Sequence, residues 1–294
     1  MRRSKIRTTG FSLVEVIVVI SVTGILLAIL IPAIVHIRAS ARSTRCKSNL
    51  RQIGLATHAY IDVHEYFPGG IYRSRGPLYD LLSYMDQTSV YRQAEAATDQ
   101  TDRQQRIPLI PAVLCPDDPV DRSYDITSYL VKQGVLPAVD GGMTGFSYQS
   151  VKVQHVEDGL SSTAFFSEST TNDWRPIFVM LENPVPVKRT RSELNLLATR
   201  CLEISRLLDP DRIGGFSSSI LSAHGGYNHL LPPNTPACSF SPFPAAVKSS
   251  LGGHSGGVNV LFADGAVRFV NENIDRDIWW NVGSIDGGEP NVKW

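Results

Sequence analysis

The chemistry-bearing residues of this chain fall into a few short constellations. Glu15 opens the run from Val16 to Val35, twenty residues without a charge. A carboxylate at the mouth of such a run costs roughly a few kcal/mol if unpaired and marks function. Far downstream, Gly253-His254-Ser255-Gly256-Gly257 satisfies the Gly-x-Ser-x-Gly pattern of a hydrolase elbow. That elbow needs a strand before it and a helix after it, whereas a strand and hairpin are expected after Ser255. The usual triad order also needs a later histidine, and His254 is the last, so a hydrolase would have to rearrange its triad around His224 or His229. No residue is taken as a catalyst. His254 and Asp264 are expected to pair across a hairpin base, pinning a Gly-rich segment to the sheet, with metal binding or proton transfer as alternatives. His224, His229 and His254 lack the short spacing of a metal site. Asp286 and Glu289 offer oxygen ligands of the kind calcium prefers, but one Asp-Gly-Gly-Glu run reads first as a turn. No cofactor is therefore expected, and calcium is the alternative. His58 and His64, six apart, read as surface or boundary residues.

Charge and cysteines narrow the classes. Lysine plus arginine and aspartate plus glutamate both number 28, so no nucleic-acid surface is implied. Beyond the first apolar segment about 255 residues remain, enough for one large domain or two small ones with a real core. Cys46, Cys115, Cys201 and Cys238 lie far apart with no Cys-x-x-Cys, which disfavours zinc. An even count on the oxidising side of a membrane favours two disulfides. Of the three pairings, Cys46–Cys115 with Cys201–Cys238 is the one expected, and free buried thiols are the alternative.

The elements that must position these groups begin with one long helix. The run from Val16 to Val35 is long enough to cross a hydrocarbon core of about 30 Å. The basic leader (Arg2, Arg3, Lys5, Arg7) should stay cytoplasmic, placing the rest of the chain across the membrane. The helix should continue to about Ile61, since Leu50, Ile53, Leu55-Ala56 and Tyr60 recur at spacings of three and four. Pro32 should kink it. A second helix is expected from Pro77 to about Ala96, and a third from Arg191 to Leu208, stopped by Asp209-Pro210. Short strands are expected at Leu109–Leu114, Thr127–Val131, Thr163–Ser167 and Trp174–Leu181. The stretch from Gly214 to Gly257, with Phe216, Tyr227, Phe240 and Phe243, reads as a surface insertion offering aromatic contacts, or equally as core. Asp264-Gly265 between two β-rich runs predicts a tight hairpin with both turn residues at positive φ. A short helix around Asp277 to Asn281 precedes an Asp/Gly tail.

The basic leader, Gly10, Phe11, Ser12-Leu13-Val14-Glu15 and the apolar helix together resemble the type IV prepilin and type II secretion pseudopilin signal. The resemblance implies that prepilin peptidase cuts between Gly10 and Phe11 and methylates the Phe11 amino group. Glu15 then meets the Phe11 ammonium of a neighbouring subunit, so that each charge gains a partner when helices bundle. Two plainer readings compete: an anchor with Glu15 snorkelling at the interface, and a secretory signal cut at Ala39-Ser40-Ala41. The latter has too long an apolar region, with Arg38 before the cut.

A second resemblance spans most of the chain. Cys46-Lys47-Ser48-Asn49-Leu50, Leu114-Cys115-Pro116, Glu157-Asp158-Gly159 with Glu168, and Tyr227-Asn228-His229 with Pro233-Asn234 and Cys238 are joined by His254, nine residues, then Asp264-Gly265. Together they resemble the prepilin-like proteins of unknown function, abundant in Planctomycetes, that carry a C-terminal H-X9-DG signature (DUF1559). The resemblance implies an α+β, pilin-like fold, with a long N-terminal helix packed on an antiparallel sheet enlarged by insertions. The expected divisions are a leader at 1–10, a transmembrane assembly helix at 11–36 and a head at 37–294. The implied product is a non-enzymatic, single-pass inner-membrane subunit with its head in the periplasm, or at the cell surface once assembled. Its expected partners are prepilin peptidase and other pilin-like subunits. The alternative is a surface-anchored head that captures a polymer or carbohydrate.

Overall fold

The structure is a computed structural model. It describes residues 13–69, 76–97, 106–118, 126–135, 151–170, 190–206, 226–235, 238–240 and 245–285. The chain forms two compact units, Met1–Arg42 and Ser43–Trp294. Gly10 and Phe11, Trp174–Leu181, His224, Phe216, Phe243, Asp286 and Glu289 lie outside the described residues.

Helix α1 (Leu13–His64) runs continuously through Pro32. In the first unit its side chains are exposed, including Val16, Ile20, Leu27 and Ile31. The segment is long and apolar enough to cross a membrane. Its few hydroxyls are internally satisfied: Ser21 donates to the Ile17 carbonyl and Thr23 to the Val19 carbonyl, each at 2.7 Å. Such back-bonding removes the donors that hydrocarbon would leave unpaired.

The second unit is built on a five-stranded sheet. Its strands are β1 (Tyr129–Lys132), β2 (Ala164–Glu168), β3 (Gly226–Tyr227), β6 (Gly257–Phe262) and β7 (Val267–Asn271), in the order β3-β1-β2-β6-β7. A separate two-stranded ribbon pairs β4 (Cys238–Phe240) with β5 (Ala245–Val247). The sheet is mixed, because β1 and β3 run parallel while its other pairs are antiparallel. This corrects the purely antiparallel expectation; the α+β, pilin-like class stands. Both faces are covered. On one side Leu50, Ile53, Ala56 and Tyr60 of α1 join Tyr129, Val131, Phe166 and Leu261. On the other, Leu194, Leu197 and Ala198 of the helix Arg191–Arg206, with Trp279 and Trp280 of the helix Arg276–Gly283, join Leu130, Val258, Val260 and Phe262. Double burial explains why every residue of β6 is buried and why its run is almost wholly apolar. Gly54 lets α1 lie against the hairpin: a Cβ there would meet Leu261 Cδ1 at 2.9 Å and Gly265 Cα at 3.5 Å.

Three local expectations fail for identifiable reasons. The helix from Pro77 to Ala96 is broken into α2 (Pro77–Leu81), a 3-10 turn (Leu82–Tyr84) and α3 (Thr88–Glu95), with Asp86 at φ 58° between them. Pro77 through Leu82 are all buried, a continuous burial that no single amphipathic stripe provides. Residues 109–114 hold a 3-10 turn, Pro111–Val113, rather than a strand. The hairpin loop is Ala263-Asp264-Gly265, with Gly265 alone at positive φ (86°). Gly265 N–H donates to the Phe262 carbonyl and Phe262 N–H to the Ala266 carbonyl. That is the three-residue loop closed by a glycine bulge, which needs one left-handed residue and not two.

Candidate functional site

Of the N-terminal motif, Glu15 is described: it sits exposed in the first turn of α1.

The second constellation gathers around His254. Its Nδ1 lies 2.9 Å from Asp117 Oδ2 and its Nε2 lies 3.2 Å from Glu168 Oε1. The expected partner was Asp264. Instead the nine intervening residues contain the whole of β6, so His254 and Asp264 stand at opposite ends of that strand. At six residues and about 3.4 Å each, the strand separates them by about 20 Å. Asp264 is exposed, and its Oδ1 accepts from Ala266 N at 2.9 Å. Gly265 turns the hairpin tip against the His58 ring, 3.3 Å from where a Cβ would sit.

Glu168, the last residue of β2, is the centre of the node. Its Oε2 accepts from the Asn259 backbone N–H at 2.7 Å, and its Oε1 from Asn259 Nδ2 at 2.8 Å. A buried asparagine in an otherwise apolar strand needs such a partner. Asn234 Oδ1 accepts from Gly252 N at 3.0 Å while its Nδ2 donates to Glu272 at 2.9 Å, bracing the segment that carries His254. Gly253 passes so close to the chain at Asp117 that a Cβ would sit 2.8 Å from the Asp117 carbonyl carbon.

The Cys46–Cys115 disulfide adjoins this node, with Cα atoms 4.9 Å apart. Cys115 Sγ lies 3.7 Å from His254 Nε2. Asn49 Nδ2 donates to the carbonyls of Pro111 and Leu114, and Tyr129 Oη donates to the Cys46 carbonyl, so both ends of the bridge are clamped. Cys201 is also disulfide-bonded, and the Cys238 side chain lies outside what is described.

Burial opposes charge on His254. The hydrogen bond and charge of Glu168, and then Asp117, outweigh it and raise the imidazole above its ordinary value. The two carboxylates thus favour the protonated imidazole. His229 has the opposite character. Its Nδ1 lies 2.8 Å from the Trp279 carbonyl and its Nε2 3.2 Å from Tyr227 Oη. Burial first, then the Lys132 charge, push it well below its usual range. With both nitrogens engaged, His229 is a core residue and does not meet His254. His64 stacks on Tyr60 and contacts Tyr84 Oη at 3.1 Å, a boundary position. Ser255 is exposed, and β6 follows it where an elbow requires a helix. Tyr227 is wholly buried and offers no surface contact.

Asp117 was the residue that spacing could not find; its one signal was its place directly after Cys115-Pro116. The residues of the second resemblance thus converge: Cys46, Asn49, Cys115, Glu168, Asn234 and His254 form one connected node. No curated protein and no solved structure matches this chain. The family model described as a protein of unknown function, DUF1559, matches residues 35–277, and the chain belongs to that family.

Proposed function

We propose that this protein is a pseudopilin-like, non-enzymatic subunit, processed by prepilin peptidase at Gly10–Phe11 and anchored by α1 in the inner membrane. It joins a type II secretion or type IV pilus-like filament with other pilin-like subunits and displays its head in the periplasm. The observation that carries this reading is an uncharged helical run, Val16 to Val35, exposed along its length and headed by Glu15 directly behind the Gly10-Phe11 motif. Such a surface is matched by lipid or other apolar helices, and a carboxylate at its head is favoured where a neighbouring subunit supplies a cation. The rigid, disulfide-clamped node suits a head that must survive outside the cytoplasm.

The deciding experiment is the mass of the N-terminal peptide of membrane-derived protein, from cells with and without prepilin peptidase. The expected peptide starts at methylated Phe11 and disappears without the peptidase. A chain starting at Met1 or at Arg42 would overturn the proposal. The competing reading, a surface-anchored binding head, is separated by Glu15→Ala: assembly fails, whereas capture of a polymer by the head would persist.

A further inference from the structure

The node around His254 contains a contact that its own chemistry leaves open. With Nδ1–H donated to Asp117, the proton that Nε2 shares with Glu168 can be exchanged for another cation; Nε2 faces Glu168 Oε1 at 3.2 Å and Cys115 Sγ at 3.7 Å. Acceptors that converge in this way require a cation between them, either a proton or a metal ion. Ligand atoms of Cys46, Cys115, Glu168 and His254 all lie within 4.8 Å of one another. Tetrahedral zinc, with sulfur at about 2.3 Å and nitrogen or oxygen at about 2.0–2.2 Å, sets ligand separations of about 3.3–3.8 Å. Nε2 already stands on that scale from both Oε1 and the Cys115 sulfur. The two sulfurs, now bonded to each other, must part.

The surroundings are those of a metal site. Asp117 orients the imidazole through the nitrogen that would not bind the metal, as carboxylates do behind histidine ligands. Asn259 fixes the Glu168 carboxylate from two sides. The side chains of His254 and Glu168 are only 6% and 2% exposed, so water is largely excluded.

We propose that the reduced form of this cluster binds a thiophilic divalent cation of the zinc type through Cys46 Sγ, Cys115 Sγ, Glu168 Oε1 and His254 Nε2, and that disulfide formation closes the site. The chain is synthesised with reduced cysteines, so the metal-binding state precedes the disulfide state. In the laboratory a water-soluble phosphine reverses the order. It gives two electrons to the Cys46–Cys115 bond, takes oxygen from water to become the phosphine oxide, and the two water protons complete the thiols. Metal binding then displaces both thiol protons and any proton on Nε2.

The test uses the full chain in detergent, with Cys201→Ser and Cys238→Ser so that reduction frees only two thiols. Cobalt(II) is the probe, because tetrahedral thiolate coordination gives intense visible bands. The reduced chain is expected to bind one equivalent with those bands, and the oxidised chain none. Glu168→Gln and His254→Gln should each weaken binding at least 100-fold and alter the bands. Asp117→Asn, behind the ligand, should weaken it about 10–100-fold. Absence of the bands from the reduced chain, folded or not, overturns the proposal. So does equal binding by the oxidised chain, or a spectrum that neither Glu168→Gln nor His254→Gln changes, which would mean adventitious binding by two thiols only.

Discussion

Glu168→Gln probes the node at its most connected atom pair. The carboxylate accepts two hydrogen bonds from Asn259 and faces His254. Glutamine keeps the shape but supplies one acceptor and one donor. One of the two Asn259 donors must then face an NH2 group, losing a charge-assisted bond worth about 1.5–3 kcal/mol. His254 loses one of its two carboxylates but keeps Asp117, so the loss stays below the roughly 3–5 kcal/mol of a fully orphaned buried charge. The sum is about 2–4 kcal/mol, a large part of an ordinary domain stability of about 5–15 kcal/mol. The loss also carries a pH signature. Because the folded His254 titrates above its ordinary value, its stabilisation is complete below the unfolded pKa of about 6.5 and fades as pH rises through the folded one. The deficit of the variant should therefore be larger near pH 5.5 than near pH 9. Denaturant unfolding of the detergent-solubilised chain, followed by the fluorescence of the buried Trp279 and Trp280, reads it directly. A deficit under about 0.5 kcal/mol, or one that grows with pH, would refute the argument.

Four further outcomes follow from the same geometry. Lys248 is almost completely buried, and burial, partly offset by Asp118, pushes it down to about 7. The unfolded chain then binds the extra proton between that value and 10.5, so stability rises with pH across this window by up to about 5 kcal/mol; Lys248→Met should flatten the rise and be the more stable protein at pH 7. Gly253→Ala drives a Cβ into the Asp117 backbone and should cost about 1–3 kcal/mol, while Ser255→Ala, exposed two residues on, should change the unfolding midpoint little. Removing the Cys46–Cys115 bridge by a double alanine substitution opens a loop with a sequence separation of 69 and should cost about 4 kcal/mol in the same assay. Asp275→Ala removes the cap that accepts from Asp277 N and Ile278 N, and about 1 kcal/mol of head stability with it, seen as a lower melting temperature.

Much of the architecture is written locally. The charge-free run behind Glu15 needs no tertiary partner to be recognised, because hydropathy over twenty residues is a property of the segment. Leu50, Ile53 and Tyr60 disclosed their shared face by spacing alone, and all three are buried on the sheet. The β6–β7 hairpin was legible from Asp264-Gly265, although the loop used one left-handed residue rather than two. The segment after Pro77 is not legible locally, because burial from every side erases the periodicity that separates one helix from several short turns.

The node itself belongs to the tertiary structure. His254 finds Glu168 across 86 positions and Cys115 across 139, and no periodicity extends that far. Sequence supplied a histidine nine residues ahead of Asp264-Gly265 and suggested that the two ends meet. Extended backbone forbids it, since β6 holds those ends apart, and the imidazole turns instead to the carboxylates that β2 and the segment after Cys115 bring beside it. Sequence by itself determined the helix that seeks a membrane, because hydrophobicity and charge act along the chain. Only the fold decided the surroundings of His254, because hydrogen bonds and ion pairs act over about 3 Å, whatever the distance in sequence.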